Sequence, residues 1–427
     1  MRHRIATARQ AASSIFTDPN ALSNEYVPTH LIARDDQILD VLDIFLPTFR
    51  TGAKIRNHII LGPTGCGKTV VARYVMRFVN DEIATEAETA PADKPTIRPI
   101  YVLCRDNRTK VSILISIITD LDPTSKFINR GIRYDEYVAE MVRLINRLNV
   151  SLVILFDEID QANPAEMSDI LYMFSRMQVN YQLTRGNYVA VIGITNRPKF
   201  QETIDIPTLS SFKMSLITFP GYCAPELVEI LSNRVELAFQ PGVVPEDILA
   251  HCAAWGAQES GDCRYALDLL WVAGTIAERQ GATAITLAML EEAKDEAEIN
   301  STLAMIDKFN LQLKLVVYAI ALLDEAYPLG RHTSGNIYRV YRSLCLFRDT
   351  QFVTPRRLSD LLKELDYYQI VTTTIASRGR YGRTKEVVLN LEARKITAVV
   401  QPQIDANCTI RAKPFCQQAL ATDQRTL

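Results

Sequence analysis

The segment Gly62-Pro63-Thr64-Gly65-Cys66-Gly67-Lys68-Thr69 has glycines and a closing Lys-Thr at the spacing of a phosphate-binding loop. A backbone that wraps tightly around two phosphates leaves no room for side chains. The amides from Gly65 to Lys68 can point inward, and the N-terminus of a following helix favours an anion. Lys68 places a cation near the outer phosphates, and the Thr69 hydroxyl can ligate magnesium. Pro63, Thr64, Gly65, Cys66, Gly67, Lys68, Thr69 and Val70 are the candidate nucleotide-binding residues.

A second motif follows. The apolar run Leu152-Val153-Ile154-Leu155-Phe156 ends in Asp157 and Glu158. A buried strand of this kind delivers Asp157 to the carboxyl edge of a sheet, where it can hold magnesium with Thr69. Glu158 can orient an attacking water for in-line displacement. A third element is Ile194-Thr195-Asn196, in which Asn196 can reach the terminal phosphate or the water. The other reading of Glu158 is a solvated helix cap, and Asn196 taken alone reads as a turn residue. Three such elements on three strand ends point to ATP or GTP binding. Hydrolysis further requires arginines set against the developing charge.

Strands alternating with amphipathic helices up to Pro220 predict an α/β domain, a parallel sheet covered on both faces. Strands are expected at 57–61, 97–104, 152–156, 188–194 and 216–219. One helix is expected over 35–49, and residues 82–96 read as a flexible surface loop. From 221 to 300 the pattern is helical only. The expected domains are a nucleotide-binding base (1–220), a helical lid (221–300), a third domain (301–395) and an extension of no assigned structure (396–427).

The chain has 427 residues, 48% of them hydrophobic and 22% charged, enough for two or three packed cores and unlike a disordered protein. Its eight cysteines show no C-x-x-C spacing, and its five histidines do not pair, so a structural zinc is not expected. No apolar run approaches the roughly 20 residues of a membrane span. A cytoplasmic protein with no membrane partner is expected. Net charge is −2, but from Met305 onward 18 Lys and Arg face 11 Asp and Glu. A basic C-terminal domain permits nucleic-acid binding.

Several segments resemble one family. The wide gap between Lys68 and Asp157, the Asp-Glu pair, and Asn196 followed by helices are similar to an AAA+ ATPase. Phe16-Thr-Asp-Pro-Asn-Ala-Leu-Ser-Asn-Glu-Tyr-Val-Pro28, Arg34-Asp35, Gly261-Asp-Cys-Arg264 and Ser377-Arg-Gly-Arg-Tyr-Gly-Arg-Thr384 resemble the archaeal replication initiators. These are similar to the largest origin-recognition subunit and the cell-division-control loader of eukaryotes. The resemblance implies that Arg264 is the lid's sensor of the outer phosphate. It also implies that Tyr26 and Val27 lie beside the adenine, and that Arg105, Arg108 and Lys110 belong to a helical insert that touches DNA. A solvated charged loop remains the other reading of that insert.

In that family an Asp-Pro-Arg-Val stretch supplies an arginine in trans. Here the segment is Asp205-Ile206-Pro207-Thr208, and Pro207 has no charge to donate. Slow turnover, or a switch that rests with ADP, is expected.

The third domain reads as a winged helix, which is the family's fold. A helix from Pro355 to Tyr367 carries Leu358, Leu361, Leu362 and Leu365 on one side and Arg356, Arg357, Ser359 and Lys363 on the other. It suits the major groove. Two strands around a basic turn carry Arg378, Gly379, Arg380 and Arg383, which suit the minor groove. The expected activity is ATP- or ADP-controlled binding of duplex DNA at origin repeats, which bends or underwinds the site. Paralogous initiators and a replicative helicase are the further partners implied, and the protein would associate with the chromosome. Two other readings stay open: a non-catalytic DNA-binding regulator, and an NTPase switch whose winged helix binds protein.

Overall fold

In a computed structural model of the chain, the nucleotide motifs sit on a five-stranded sheet. Its strands are β1 (Asn57–Leu61), β2 (Thr96–Leu103), β3 (Val150–Asp157), β4 (Val189–Thr195) and β5 (Met214–Thr218). Their order is β2-β3-β4-β1-β5, and every pairing is parallel. The structure describes residues 14–23, 26, 28, 30–87, 96–128, 132–184, 186–328, 331–377, 383–404 and 410–421.

Helices cover both faces: α1 (Asp35–Leu42), α2 (Leu46–Thr51), α3 (Lys68–Ala87), α4 (Lys110–Leu121), α5 (Tyr134–Leu148), α6 (Pro164–Ser175) and α7 (Ile206–Ser211). β3 is buried over its whole length, as its unbroken apolar run requires. Leu152, Ile154 and Phe156 pack with Leu114 of α4 and Met141 of α5. Val153 and Leu155 turn to the other face, with Val71 and Val75 of α3. This period of two decides where Asp157 points.

Two expectations change here. The single helix over 35–49 is split into α1 and α2, because Pro47 opens the second helix and cannot continue the first. Of the flexible loop expected over 82–96, residues 82–87 belong to α3, which runs to Ala87 through residues that favour helix and packs its Ile83 on the core, and residues 88–95 lie outside the described residues. The lid follows as α8 (Ala224–Ala238), α9 (Glu246–Gln258), α10 (Cys263–Gln280) and the start of α11 (Leu287–Asp307). A short 3-10 turn, Pro19–Leu22, packs on α8 and α10, and the backbone of Phe16 bridges that of Phe239. The segment before α1 is thereby tied to the lid.

The chain divides into two units, 1–290 and 291–427. The second contains α12 (Leu311–Ala326), β6 (His332–Thr333), α13 (Ser334–Phe347), α14 (Pro355–Tyr367), β7 (Val371–Ser377) and β8 (Arg383–Leu389). Its sheet has the order β6-β8-β7 with antiparallel pairing, a winged helix. Two more helices, α15 (Ala393–Ile404) and α16 (Ala412–Ala421), lie where no structure was expected beyond 395. α12 is buried without a break from Leu315 to Leu323. A helix apolar on all sides needs cover on all sides, and Ile396, Val400 and Cys416 supply it from α15 and α16. No helix of the described residues is long and apolar enough to cross a membrane.

Candidate nucleotide site and nucleic-acid interface

The loop from Gly62 to Gly67 joins β1 to α3, so its amides precede a 20-residue helix. Asp157 lies on the α3 side of β3, by the same alternation that turns Val153 and Leu155 there. It is 3% exposed. Its Oδ1 accepts from the Thr69 hydroxyl at 3.1 Å and from the Glu158 amide at 3.0 Å. Its Oδ2 accepts from the Tyr101 hydroxyl at 2.7 Å. Burial, then the Asp157 charge, pushes the Tyr101 phenol pKa well above its ordinary value, so the phenol stays a donor at neutral pH.

Glu158 has a left-handed backbone, φ 51° and ψ 46°. For a residue with a Cβ this costs about 1 to 3 kcal/mol. Glu158 lines the cleft above the loop with Asp157, Thr195 and Asn196. Asn196 is exposed and its Nδ2 lies 3.5 Å from the Thr64 hydroxyl. The Lys68 ammonium donates to the carbonyls of Gly62 at 2.9 Å and Pro63 at 2.6 Å, which folds the lysine back along its own loop. Cys66 is fully buried beneath the loop, with its Sγ 3.7 Å from that ammonium.

The lid meets the loop at the N-terminus of α10. Asp262 caps that helix, accepting from the amides of Arg264 at 2.8 Å and Tyr265 at 3.2 Å. The Cys263 amide donates to the Gly65 carbonyl at 3.3 Å. Gly65 has φ +69°, and a Cβ there would overlap the Asp262 carboxylate. Only glycine satisfies both the turn and the approach of the lid. Arg264, exposed one step into α10, lines the cleft beside Lys68 and Thr69.

The cleft is also lined by Tyr26, Pro28 and Leu31 from the leading segment and by Ile230, Arg234 and Leu267 from the lid. Tyr26, the expected base contact, lines this cleft. Val27 lies outside the described residues. Arg234 was not among the expected residues, whereas the region of Arg34 was expected to pack against the adenine. Arg234 is buried, with its guanidinium 4.3 Å from the centroid of the Tyr26 ring and 3.3 Å from the Ala21 carbonyl. Burial lowers its pKa and raises that of the Cys263 thiol to about 11. Arg34 is 2% exposed; its Nε donates to the Cys66 carbonyl at 3.0 Å, its Nη2 to the Pro220 carbonyl at 2.8 Å, and it lies 3.6 Å from the centroid of the Tyr222 ring. It joins the leading segment, the loop and the start of the lid.

Thr69 and Asp157 present only hydroxyl and carboxylate oxygens, a donor set that suits magnesium. The glycine-bearing loop, its buried lysine and a cleft lined by an aromatic ring fit a nucleotide.

In the second unit, Thr354 caps α14 by accepting from the Arg357 amide at 3.3 Å. Leu358, Leu361, Leu362 and Leu365 are buried, while Arg356, Arg357 and Lys363 are exposed. Lys363 lies 3.3 Å from Asp360. Ser359 is engaged by Lys385 of β8, whose ammonium donates to its hydroxyl at 2.7 Å. Lys385 was not among the expected residues. Arg378, Gly379 and Arg380 lie outside the described residues; Arg383 opens β8 opposite Ser377 in the backbone register.

In the insert, Arg105 and Arg108 are exposed. Lys110 is instead engaged internally, with its ammonium 2.6 Å from Asp169 and its amide 2.7 Å from Glu166. That pairing competes with an anionic ligand, a departure from its expected role in binding DNA.

Three family models match the chain: an AAA domain over 56–194, a Cdc6 AAA+ ATPase-type lid domain over 228–295 and a Cdc6 C-terminal winged helix domain over 304–399. An ORC1-type DNA replication protein of Pyrococcus furiosus is 37% identical over 420 residues, covering 97% of this chain and 95% of that protein. An ORC1-type DNA replication protein 1 of Sulfurisphaera tokodaii is 36% identical, covering 91% and 92%. The structure of the Aeropyrum pernix ORC1 protein in complex with DNA superposes with a TM-score of 0.70 at 32% identity, covering 92% of this chain and 98% of that one. With such identity along nearly its whole length, the chain belongs to the archaeal ORC1/Cdc6-type replication initiators, AAA+ ATPases with a helical lid and a winged helix.

Proposed function

We propose that the chain binds duplex DNA at replication origins under the control of bound ATP or ADP and hydrolyses ATP slowly. The observation that carries this reading is the convergence of Lys68, Thr69, Asp157, Asn196 and the lid's Arg264 on one cleft. The DNA-bound Aeropyrum pernix relative and the exposed Arg356 and Arg357 support the DNA half.

The residues divide the work. The amides of 63–70 cradle phosphates, and Lys68 exchanges its two loop carbonyls for the outer phosphate oxygens. Thr69 and Asp157 hold magnesium, which supplies Lewis-acid charge stabilisation when bound. Glu158 accepts the proton of the attacking water while Asn196 orients it. Arg264 offsets developing charge from the lid side, so lid position depends on the phosphates present. Tyr26 packs on the base, held by Arg234. On the DNA side, α14 enters the major groove with Arg356 and Arg357 at its first turn, and the hairpin around 378–383 follows the minor groove. Arg105 and Arg108 add backbone contacts. Bending at an origin repeat, assembly with paralogous initiators and delivery of a replicative helicase complete the proposed role.

Pro207 favours the slow end of this range, because it leaves no arginine at the family's trans-acting position. The test is footprinting on origin-repeat and randomised duplexes with ATP or ADP. Lys68→Ala should lose nucleotide binding and its effect on the footprint. Arg383→Ala should keep nucleotide binding and weaken every footprint. An Arg383→Ala protein that protects DNA as the parent does would remove the wing from the interface.

A further inference from the structure

The two oxygens of Asp157 have different partners. Oδ1 faces the Thr69 hydroxyl, whereas Oδ2 accepts at 2.7 Å from a phenol on the neighbouring strand. Tyr101 reaches it because β2 and β3 are in parallel register, with Leu103 opposite Asp157. Ile100 and Val102 pack into the opposite core, so Tyr101 falls on the α3 face, where Asp157 also points. The Arg73 guanidinium lies 5.3 Å from the centroid of the tyrosine ring. Arg73 is four residues after Thr69 on α3, so the helix that bears the metal-binding hydroxyl also pins the phenol's ring.

We propose that Tyr101 is a positioning residue for the magnesium carboxylate: its hydroxyl holds Asp157 Oδ2 and keeps the Oδ1 edge turned to Thr69. A carboxylate's terminal torsion is broad and roughly two-fold, so without a second anchor the group rocks. The Thr69 contact is long, and the Glu158 amide holds the same oxygen, so neither fixes the far one. Groups behind a metal ligand set its orientation and commonly change metal affinity by about 10- to 100-fold when removed. Tyr101 is not among the residues lining the nucleotide cleft, so it acts there through Asp157. The proposal rests on the reading of Thr69 and Asp157 as the magnesium site.

The test uses the full chain stripped of nucleotide and a fluorescent ATP analogue, with binding followed as magnesium is titrated and again in EDTA. Tyr101→Phe keeps the ring and its contact with Arg73 and removes only the donor. Its half-saturating magnesium should rise roughly tenfold, with affinity in EDTA and the melting curve unchanged. A parent protein that binds the analogue equally with magnesium and EDTA would overturn the metal site and this proposal together. A parent that responds to magnesium beside a Tyr101→Phe protein responding at the same concentration would overturn the role of Tyr101 alone.

Discussion

The Arg197 Nε lies 3.0 Å from Asp160 Oδ2, and the Asp160 side chain is only 3% exposed. The same carboxylate accepts from the Thr195 hydroxyl at 2.7 Å, and that hydroxyl accepts from the Arg197 amide at 3.0 Å. Residues 195 and 197 are thus both locked to the segment that carries Glu158, with Asn196 between them. The Arg197 guanidinium is engaged within its own chain.

This linkage makes Asp160 a positioning residue for Asn196. Asp160→Asn keeps the shape and an acceptor but removes the charge that holds Arg197. ATP turnover should fall, by up to about 100-fold if Asn196 is misplaced by about 1 Å, while affinity for ATP is retained because the loop contacts are untouched. Single-turnover hydrolysis beside equilibrium binding measures both. Equal turnover in parent and variant would release Asn196 from this control.

Glu158 carries a separate expectation. Its backbone is left-handed and it lines the cleft, and Gln in its place keeps the side chain's size and removes the carboxylate charge. Glu158→Gln should bind ATP like the parent and lose turnover by about 100-fold or more. Phosphate release over hours is the measurement. Turnover at the parental rate would take Glu158 out of the reaction.

Sequence reasoning reached the parts whose chemistry is local. The loop at 62–69, the Asp157-Glu158 pair after an apolar strand and Asn196 all announce themselves through spacing along one stretch of chain. Tyr101 and Arg234 do not, because each acquires its role from a partner more than 50 residues or a whole domain away. Lys110 reads as a DNA contact or a solvated cation until Asp169 and Glu166 of α6 arrive beside it. The helices after residue 395 were missed for a related reason. Their apolar residues are sparse and Pro402 interrupts them, and only the all-round burial of α12 shows why they are needed.

The core contributed by α15 can be tested directly. Ile396 is fully buried against the winged-helix core. Ile396→Ala should destabilise that unit by about 2 to 5 kcal/mol, the usual range for a large-to-small change in a packed core. Urea denaturation of the full chain should show an earlier transition, with nucleotide binding unaffected at low urea. A transition at the parental midpoint would mean that α15 is only loosely attached.

The last expectation separates positioning contacts from the nucleotide. Arg356 and Arg357 sit in the first turn of α14, exposed, next to amides that Thr354 only partly satisfies. A helix N-terminus and two guanidiniums together make a phosphate-binding edge. Each phosphate neutralised on duplex DNA adds about 0.9 to the slope of log affinity against log salt. The double variant Arg356→Ala/Arg357→Ala should therefore weaken binding at low salt and flatten that slope by about 2. ATP affinity should not move, since neither residue lines the nucleotide cleft. Fluorescence anisotropy on one duplex across a salt series gives the slope. If the two proteins show parallel lines, these arginines reach no phosphate, and the first turn of α14 is facing something other than the DNA backbone.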